Sequence, residues 1–322
     1  MTPDTTDPSY WLNWRFLLCA ICILAFMVLG LFLIWHYEGF NRSRRRGRQN
    51  QQETAGLLYK DEAWKTCLKG IHPACLLVYR LIAFLVLSGL LTADVVCNGG
   101  GIFYFYTQWT FSLVVIYFGL GSSLSIYGCC FKNNNSGAII PNSNSASLGG
   151  GMDMSSLLKN SNVLQEPDAR EVAGVWVYIF QIIFQTCAGA VALTDCVFWL
   201  ILYPFLNDKA IPLDFLIVCM HSVNAVFLLG DLALNCLRFP MFRFGYFVWW
   251  TSAFVIFQWV YHFFVSMWWP YPFLDLSSPS APFWYIAVSL MHIPCYGGCS
   301  LVVKLKHSWL SRSFPGSCQI VR

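Results

Sequence analysis

Charged side chains are scarce in this sequence. Asp, Glu, Lys and Arg make up 11 % of its 322 residues, while hydrophobic residues make up 57 %. A soluble domain carries roughly 25 % charged residues. The formal net charge of +4 comes from residues beside apolar stretches and does not indicate nucleic-acid binding. The scarcity of charge therefore argues against a soluble protein, and we expect no nucleic-acid partner.

Generic catalytic motifs are also missing. The sequence contains no HExxH, HxxxH, GxSxG or Walker motif. His221, His262 and His292 fall singly on three predicted helices, and none has a second histidine at i+4. Such a pair on one helix face would preform a zinc site. We therefore expect no metal and no cofactor.

The fourteen cysteines do not favour a disulfide framework. Only Cys97 is clearly expected on the outer aqueous side. Seven others lie within apolar segments, where cysteine commonly behaves as a small hydrophobe. Cys129 and Cys130 lie at the inner end of the third segment, where juxtamembrane cysteines are sites of palmitoylation. An inert pair is the alternative, and the sequence leaves the two open.

Seven long apolar stretches dominate the sequence. The first has twenty residues without a charge, about the length of helix that crosses a ~30 Å hydrocarbon core. Several tryptophans stand near the ends of the stretches, as an aromatic belt predicts. The pattern predicts an all-α fold: a polytopic membrane bundle of seven transmembrane helices. The stretches are 16–35, 76–96, 103–127, 175–203, 213–235, 246–267 and 283–303.

The basic residues predict the orientation of these helices. Eighteen of the twenty Lys and Arg residues fall on one side of the seven-helix topology, and the other side has only Arg15 and Lys209. The positive-inside rule makes the richer side cytoplasmic. The N-terminus is therefore expected outside and the C-terminus in the cytoplasm. Nothing in the sequence distinguishes the plasma membrane from the endoplasmic reticulum.

The same alternation divides the chain into three regions. Residues 1–75 are predicted to form an anchor helix and a basic cytoplasmic loop. Residues 76–303 form a six-helix membrane core, interrupted at about 128–174 by a cytoplasmic loop rich in Asn, Ser and Gly that we expect to be disordered. Residues 304–322 form a cytoplasmic tail.

Polar side chains within the apolar stretches gather at one depth. The orientation and a rise of 1.5 Å per residue place them in the outer half of the bilayer or near its middle. This clustering favours a polar pocket that opens outward, and the alternative is a hydrogen-bond network that only holds the helices together. The residues are Asp94, Thr107, Gln108, Asp195, His221, Asn224, His262 and His292.

The inner halves of the predicted helices carry fewer polar groups. They are mainly Arg80, Gln181, Gln185 and Asp231. A long arginine side chain can extend along an apolar surface while its guanidinium reaches water. We therefore expect Arg80 to snorkel to the cytoplasmic surface.

Three chemistries fit the outer group of polar residues. A threonine hydroxyl beside a histidine is a nucleophile and base pair for acyl transfer. Three histidines with an aspartate have the ligand types that bind zinc and activate water. A chain of histidines and aspartates can relay protons in a transporter. The residue types alone leave these alternatives open.

Local motifs resemble those of one family. Residues 105–109 (FYTQW) are similar to the threonine-bearing helix of the androgen-induced membrane hydrolase family and of the related rolling stone family. Residues 219–224 (CMHSVN) resemble their histidine-bearing helix. Residues 259–262 (WVYH) and 267–274 (MWWPYPFL) resemble their long aromatic motif. The similarity covers about residues 76–303 and leaves the first helix as an addition.

The resemblance implies a function. In one branch of the family, a Thr and a His within the membrane hydrolyse fatty acid esters of hydroxy fatty acids. It implies Thr107 as the nucleophile and His221 as its base, with Asn224 or His262 orienting the base or donating to an oxyanion. The chain departs from that branch in its extra helix, its long third loop and the pair Gln108-Trp109.

The resemblance also defines the alternatives. The expected partners are membrane lipids, among them a long-chain acyl ester that enters sideways from the bilayer. Rolling stone relatives are linked to cell fusion, so the second hypothesis is a non-catalytic membrane scaffold or cell-surface protein. A zinc-dependent lipid hydrolase is the third.

Overall fold

The structure, a computed structural model, describes residues 4–39, 58–131, 172–205 and 214–319. Apart from three isolated bridges, these residues form no strand, which confirms the all-α fold class. The helices that build the described bundle are α1 (Trp14–Ile34), α2 (Pro73–Asn98), α3 (Tyr106–Ile126), α4 (Val175–Val197), α5 (Phe215–Met220), α6 (Val223–Leu234), α7 (Phe244–Phe264) and α8 (Ala281–Ser313).

Six helical stretches in the described residues are long and apolar enough to cross a membrane, as expected for a multi-pass membrane protein. They are Trp14–Glu38, Pro73–Asn98, Tyr106–Cys130, Val175–Leu202, Phe215–Leu234 and Ala281–Ser313. The stretch predicted at 246–267 is the 21-residue helix α7. It is not among the six, because its Trp, Tyr, Gln and His residues lower its hydropathy. Most of the predicted loop at 128–174 lies outside the described residues.

Local signals fix where the first two spans begin. The side chain of Asn13 accepts the backbone N–H of Phe16 at 3.0 Å and so caps α1. Such a cap satisfies one of the donors that every helix start leaves unpaired. Helix α2 begins at Pro73, whose fixed φ suits a first helical position.

The helices pack around α4. Helix α4 contacts α3, α7 and α8, while α2 packs against the other side of α3. Helix α1 lies at the periphery and packs on α7 and α8. Helix α8, near the C-terminal end of the chain, therefore packs against α1, near its N-terminal end.

Two glycines bring α1 and α7 into backbone contact. A Cβ placed on Gly245 would lie 2.5 Å from the carbonyl oxygen of Gly30. Beside this crossing, the indole N–H of Trp249 donates to the carbonyl of Met27 at 3.1 Å. Small residues allow such close approach of helices in lipid, where packing and hydrogen bonds drive association. These contacts anchor α1 to the bundle.

The interior of the bundle contains a buried ion pair. Arg80 of α2 and Asp231 of α6 are both fully buried, and the Arg80 Nε donates to Asp231 Oδ1 at 2.7 Å. Tyr117 and Asn235 also donate to this carboxylate. The expectation that Arg80 snorkels to the surface is therefore wrong, because its charge is neutralised where it lies.

The remaining donors of Arg80 are also occupied. Its Nη1 atom donates to the carbonyl of Ala63 at 2.6 Å and to the hydroxyl of Ser125 at 2.9 Å. Its guanidinium lies 5.0 Å from the ring centroid of Phe180. A buried charge is tolerated when it is paired and hydrogen-bonded. This inner cluster therefore joins α2, α3, α4 and α6 as a structural unit.

Candidate functional site

Thr107 lies in the first turn of α3, at a helix start that a distant tyrosine completes. Phe105, the residue before the helix, makes no side-chain cap. The hydroxyl of Tyr271 accepts the backbone N–H of Tyr106 at 3.0 Å and lies close enough to the side chain of Thr107 to interact with it. Tyr271 belongs to the loop between α7 and α8, so that loop holds the start of α3.

The Tyr271 hydroxyl remains a neutral phenol in this position. Burial raises the pKa of Tyr271, and its interactions with Thr107 and with the Tyr106 N–H offset part of the increase. A neutral phenol both accepts and donates a hydrogen bond. Tyr271 can therefore cap the helix and orient the Thr107 hydroxyl at the same time.

His221 lies at a break in the fifth span. Helix α5 ends at Met220, α6 begins at Val223, and His221 and Ser222 form a turn between them. The His221 carbonyl accepts the indole N–H of Trp199 at 2.9 Å. Irregular backbone at membrane depth is tolerated where it is buried in protein or lines a cavity.

The imidazole of His221 contacts the fourth span on two sides. Its ring stacks on that of Phe198, with ring centroids 3.7 Å apart. Its Nδ1 lies 3.7 Å from the Asp195 Oδ1. Within the described residues, neither of these two atoms has a hydrogen-bond partner. The Nδ1 edge thus faces a carboxylate, and the Nε2 atom is left for another group.

The fourth span changes its helical form at this contact. Beyond α4, residues Phe198–Leu202 form a π-helix. Single π-helical turns within α-helices are frequent at functional sites. The break in the fifth span and the π-helical turn of the fourth therefore meet at His221.

Thr107 and His221 line the same cavity. It encloses about 520 Å³ of empty space, part of it open to the surroundings. Its walls are largely carbon, from residues such as Leu193, Phe254 and Phe273, and Tyr271 also lines it. A largely apolar pocket with a few convergent polar groups is a typical small-molecule site. We call it the Thr107 cavity.

Asp94 and Gln108 form a separate pair where α2 ends and α3 begins. The Gln108 amide donates to Asp94 Oδ2 at 2.6 Å, and Asn98 donates to Asp94 Oδ1 at 2.6 Å. Gln108 follows Thr107 in sequence, but the two side chains face different neighbours. Neither Asp94 nor Gln108 lines the Thr107 cavity.

His262 fastens the loop after α7. Its ring stacks on that of Trp269, with centroids 3.9 Å apart and planes 2° from parallel. Its Nδ1 lies 2.8 Å from the carbonyl oxygen of Gln258, and its Nε2 lies 3.4 Å from that of Trp268. His262 is fully buried and does not line the Thr107 cavity.

His292 and Asn224 also lie apart from Thr107. His292 lines a second cavity, enclosed by α1, α7 and α8. Asn224 is fully buried in α6, where its side-chain oxygen accepts the backbone N–H of Ala225. Its Nδ2 has no partner in the described part of the chain.

The residues that the structure describes contain no set of side chains that could bind a metal ion. Within residues 4–39, 58–131, 172–205 and 214–319, no three His, Cys, Asp or Glu side chains are grouped to hold an ion. The three histidines predicted at one depth are engaged in different places. Only His221 lines the Thr107 cavity.

Two residues of the site were missed by sequence reasoning. Tyr271 stands between Pro270 and Pro272 in the aromatic motif, and proline-flanked positions indicate a rigid loop that can present a side chain. Phe198 looked like any other apolar residue of the fourth span. For Phe198 the sequence contained no signal, since its role comes from a stack with a residue of another helix.

Comparisons with protein-family models, curated proteins and solved structures gave no match to this chain.

Proposed function

We propose that this chain is an intramembrane hydrolase of lipid acyl esters, with Thr107 as the nucleophile and His221 as its base. The observation that carries the proposal is the shared cavity: Thr107 of α3 and His221 of the broken fifth span line one pocket. The Asp195 carboxylate beside His221 adds the third group that orients a base. The motif resemblance at residues 105–109 and 219–224 supports the same pair.

The reaction follows from these groups. His221 takes the proton of the Thr107 hydroxyl as its oxygen attacks the ester carbonyl, and a tetrahedral oxyanion forms. The oxyanion collapses, the carbon–oxygen bond to the alcohol breaks, and His221 returns the proton to the departing alkoxide. Water, deprotonated by His221, then attacks the acyl-threonine carbonyl; the second oxyanion collapses, the bond to the Thr107 oxygen breaks, and His221 returns the proton to that oxygen as the fatty acid is released. Asp195 stabilises the imidazolium in each half-reaction.

The break in the fifth span supports stabilisation of the oxyanion. Helix α6 restarts at Val223, and Ser222 makes no side-chain cap. The first N–H groups of a helix have no partner within it, and they are favourable to negative charge. The Ala225 N–H is taken by the Asn224 side chain, so the backbone N–H groups of Val223 and Asn224, which follow the proposed base by two and three residues, are the donors that we assign to the oxyanion.

The cavity wall indicates the class of substrate. Apart from Thr107, His221 and a few hydroxyl groups, the side chains that line it are apolar, and no charged residue is among those described. Such a wall accepts a hydrocarbon chain and offers no counter-ion to a charged head group. An acyl ester that reaches the pocket from the bilayer meets both requirements.

We further propose seven spans, with the N-terminus outside and the C-terminus in the cytoplasm. Helix α7 has 21 residues, enough to cross the hydrocarbon core, and it packs between α1 and α4. The split of basic residues supports the orientation. A tag at the C-terminus should be accessible only from the cytoplasmic side in protease-protection experiments. Both tags on one side would contradict the topology.

A fluorophosphonate label on the purified full-length protein tests the reaction. The wild type should be labelled and should hydrolyse long-chain acyl esters. Thr107→Ala and His221→Ala should each lower hydrolysis about 10²–10⁴-fold, and the double variant should be little worse than either, because residues that act as a unit are not additive. Thr107→Ser keeps the hydroxyl and should retain part of the activity.

Thr110→Ala is the matched control. Thr110 lies one turn further along α3, is fully buried and does not line the cavity. Its loss should leave hydrolysis close to wild type. If the wild type takes no label and hydrolyses no ester, the hydrolase proposal fails and the non-catalytic scaffold replaces it.

A further inference from the structure

A second cavity lies behind the first helix. It encloses about 440 Å³ of empty space between α1, α7 and α8, and part of it is open to its surroundings. On α1 its wall is formed by Ile23 and Phe26. On α7 the lining residues run from Val248 to Val255, at the i, i+3, i+4, i+7 spacing of one helix face. On α8 they run from Trp284 to His292, and from Tyr285 onward they have the same spacing. Seven residues of helix give it a length of about 10 Å.

The second cavity adjoins the Thr107 cavity. The two share five lining residues: Thr251, Val255, Phe273, Leu274 and Val288. The side chains of these five residues therefore form a thin wall between the two cavities. A molecule whose reacting end lies at Thr107 has its nearest further space behind α1.

The chemistry of the second cavity suits a hydrocarbon chain. No charged residue is among its described lining side chains. Several of its polar groups already have partners: Thr251 bonds with Tyr106, Tyr285 donates to the Leu274 carbonyl, and His292 Nδ1 lies 2.8 Å from the Val288 carbonyl. The wall is therefore prepared for an apolar occupant and not for a head group.

Helix α1 separates this space from lipid. Ile23 is buried against the bundle, whereas its neighbour Leu24 is 57 % exposed. The Gly30–Gly245 crossing and the Trp249–Met27 hydrogen bond hold the helix in place. The side chains of α1 that face inward therefore set the width of the cavity.

We infer that the cavity behind α1 holds the distal part of the acyl chain of the ester cleaved at Thr107, so that α1 determines chain length. This inference rests on the proposed hydrolase function. The bilayer interior is as apolar as the cavity, so burial there adds little affinity. The cavity selects by length and shape. The distal part of the acyl chain therefore lies among α1, α7 and α8.

Two opposite changes at one position test the inference. Hydrolysis of p-nitrophenyl butyrate and p-nitrophenyl palmitate is compared in the purified full-length protein. Ile23→Trp fills the cavity and should lower the palmitate-to-butyrate ratio of kcat/KM about tenfold or more, because the palmitoyl chain needs this space and the butyryl chain is too short to reach it. Ile23→Ala enlarges it and should shift the optimum to longer chains. Leu24→Trp, on the lipid-facing side of the same helix, should leave the ratio unchanged.

A second readout is independent of activity. Palmitic acid with a diazirine near its terminal methyl group is cross-linked to the protein by light, with and without excess palmitate. Saturable labelling should fall on α7 and α8 between Val248 and His292, disappear in Ile23→Trp and persist in Leu24→Trp.

The two proposals fail in distinguishable ways. If esters are hydrolysed but Ile23→Trp leaves the chain-length ratio unchanged, the inference is overturned and the hydrolase stands. If no ester is hydrolysed, the hydrolase proposal fails. Saturable labelling behind α1 then shows by itself whether the cavity binds an acyl chain. Labelling that palmitate does not compete, or that Ile23→Trp leaves intact, overturns the inference in either case.

Discussion

The inner charge cluster and the Thr107 cavity use the same kinds of residue in opposite ways. Around Arg80 and Asp231, each partner has several bonds, and the carboxylate also accepts from Tyr117 and Asn235. Around His221, the facing atoms of Asp195 and His221 lie 3.7 Å apart, and each lacks a hydrogen-bond partner within the described residues. A satisfied network holds helices together, whereas an unsatisfied one keeps its bonding capacity for a ligand or a transition state.

The largest expected effect comes from removing the carboxylate charge of the inner cluster. Asp231→Asn leaves the fully buried Arg80 without its counter-ion, and such a change costs about 3–5 kcal/mol in the free energy of unfolding. The melting temperature of the purified protein in detergent should fall sharply, with a low folded yield. Arg80→Met combined with Asp231→Leu should recover much of the loss. A single variant that melts like wild type would show that the cluster is not structural.

A smaller loss is expected at the crossing of α1 and α7. Gly245→Ala would place a Cβ 2.5 Å from the Gly30 carbonyl oxygen, so the helices must separate. Overpacking of this kind costs about 1–3 kcal/mol. Gly297→Ala is the control, since a Cβ at Gly297 in α8 meets no atom within 4 Å. The control should melt at or above the wild-type temperature, and equal melting of both variants would contradict the packing.

The same carboxylate-to-amide change beside His221 should affect activity and not stability. Asp195→Asn removes the charge that faces His221, and hydrolysis should fall about tenfold, equivalent to about 1.4 kcal/mol of transition-state stabilisation. The melting temperature should stay near wild type, because the Asp195 Oδ1 has no hydrogen bond to lose in the described structure. If Asp195→Asn destabilises the protein as much as Asp231→Asn, the contrast between the two regions is false.

The smallest expected effect is at the residue that links loop and site. Tyr271→Phe removes the hydroxyl that accepts the Tyr106 N–H, and loss of a helix cap costs about 1 kcal/mol. It also removes the hydroxyl that interacts with the Thr107 side chain. A small decrease in melting temperature and a several-fold decrease in hydrolysis should appear together. A change in only one of them would separate the capping role of Tyr271 from its orienting role.

Sequence reasoning predicted the helical class and the stretches that become α1 to α8, because hydrophobicity over about twenty residues is a local property. It also put Thr107 and His221 forward, which the cavity brings together. Depth in the membrane, however, does not give the direction of a side chain. His262 and Asp94 were expected at the same level as Thr107, and each instead bonds with its own neighbours.

Pairings across the chain explain what sequence reasoning missed. Arg80 was expected to reach water because its partner is 151 residues away, and no local pattern joins α2 to α6. Tyr271 caps a helix start 165 residues before it. Such contacts depend on which helices become neighbours. The pattern of apolar residues locates the helical stretches but does not give their arrangement.

The anchoring of α1 has a consequence for how the protein is made. Trp249, which donates to Met27, follows it by 222 residues in the sequence. At the rate of chain elongation, α7 is therefore synthesised on the order of ten to forty seconds after α1. A span without polar side chains in its middle can wait alone in lipid. The second span cannot wait as easily, because Asp231 emerges 151 residues after Arg80. Until Asp231 has been synthesised, we expect the Arg80 guanidinium to reach water or lipid head groups at the membrane surface. The buried ion pair then forms only in the finished protein.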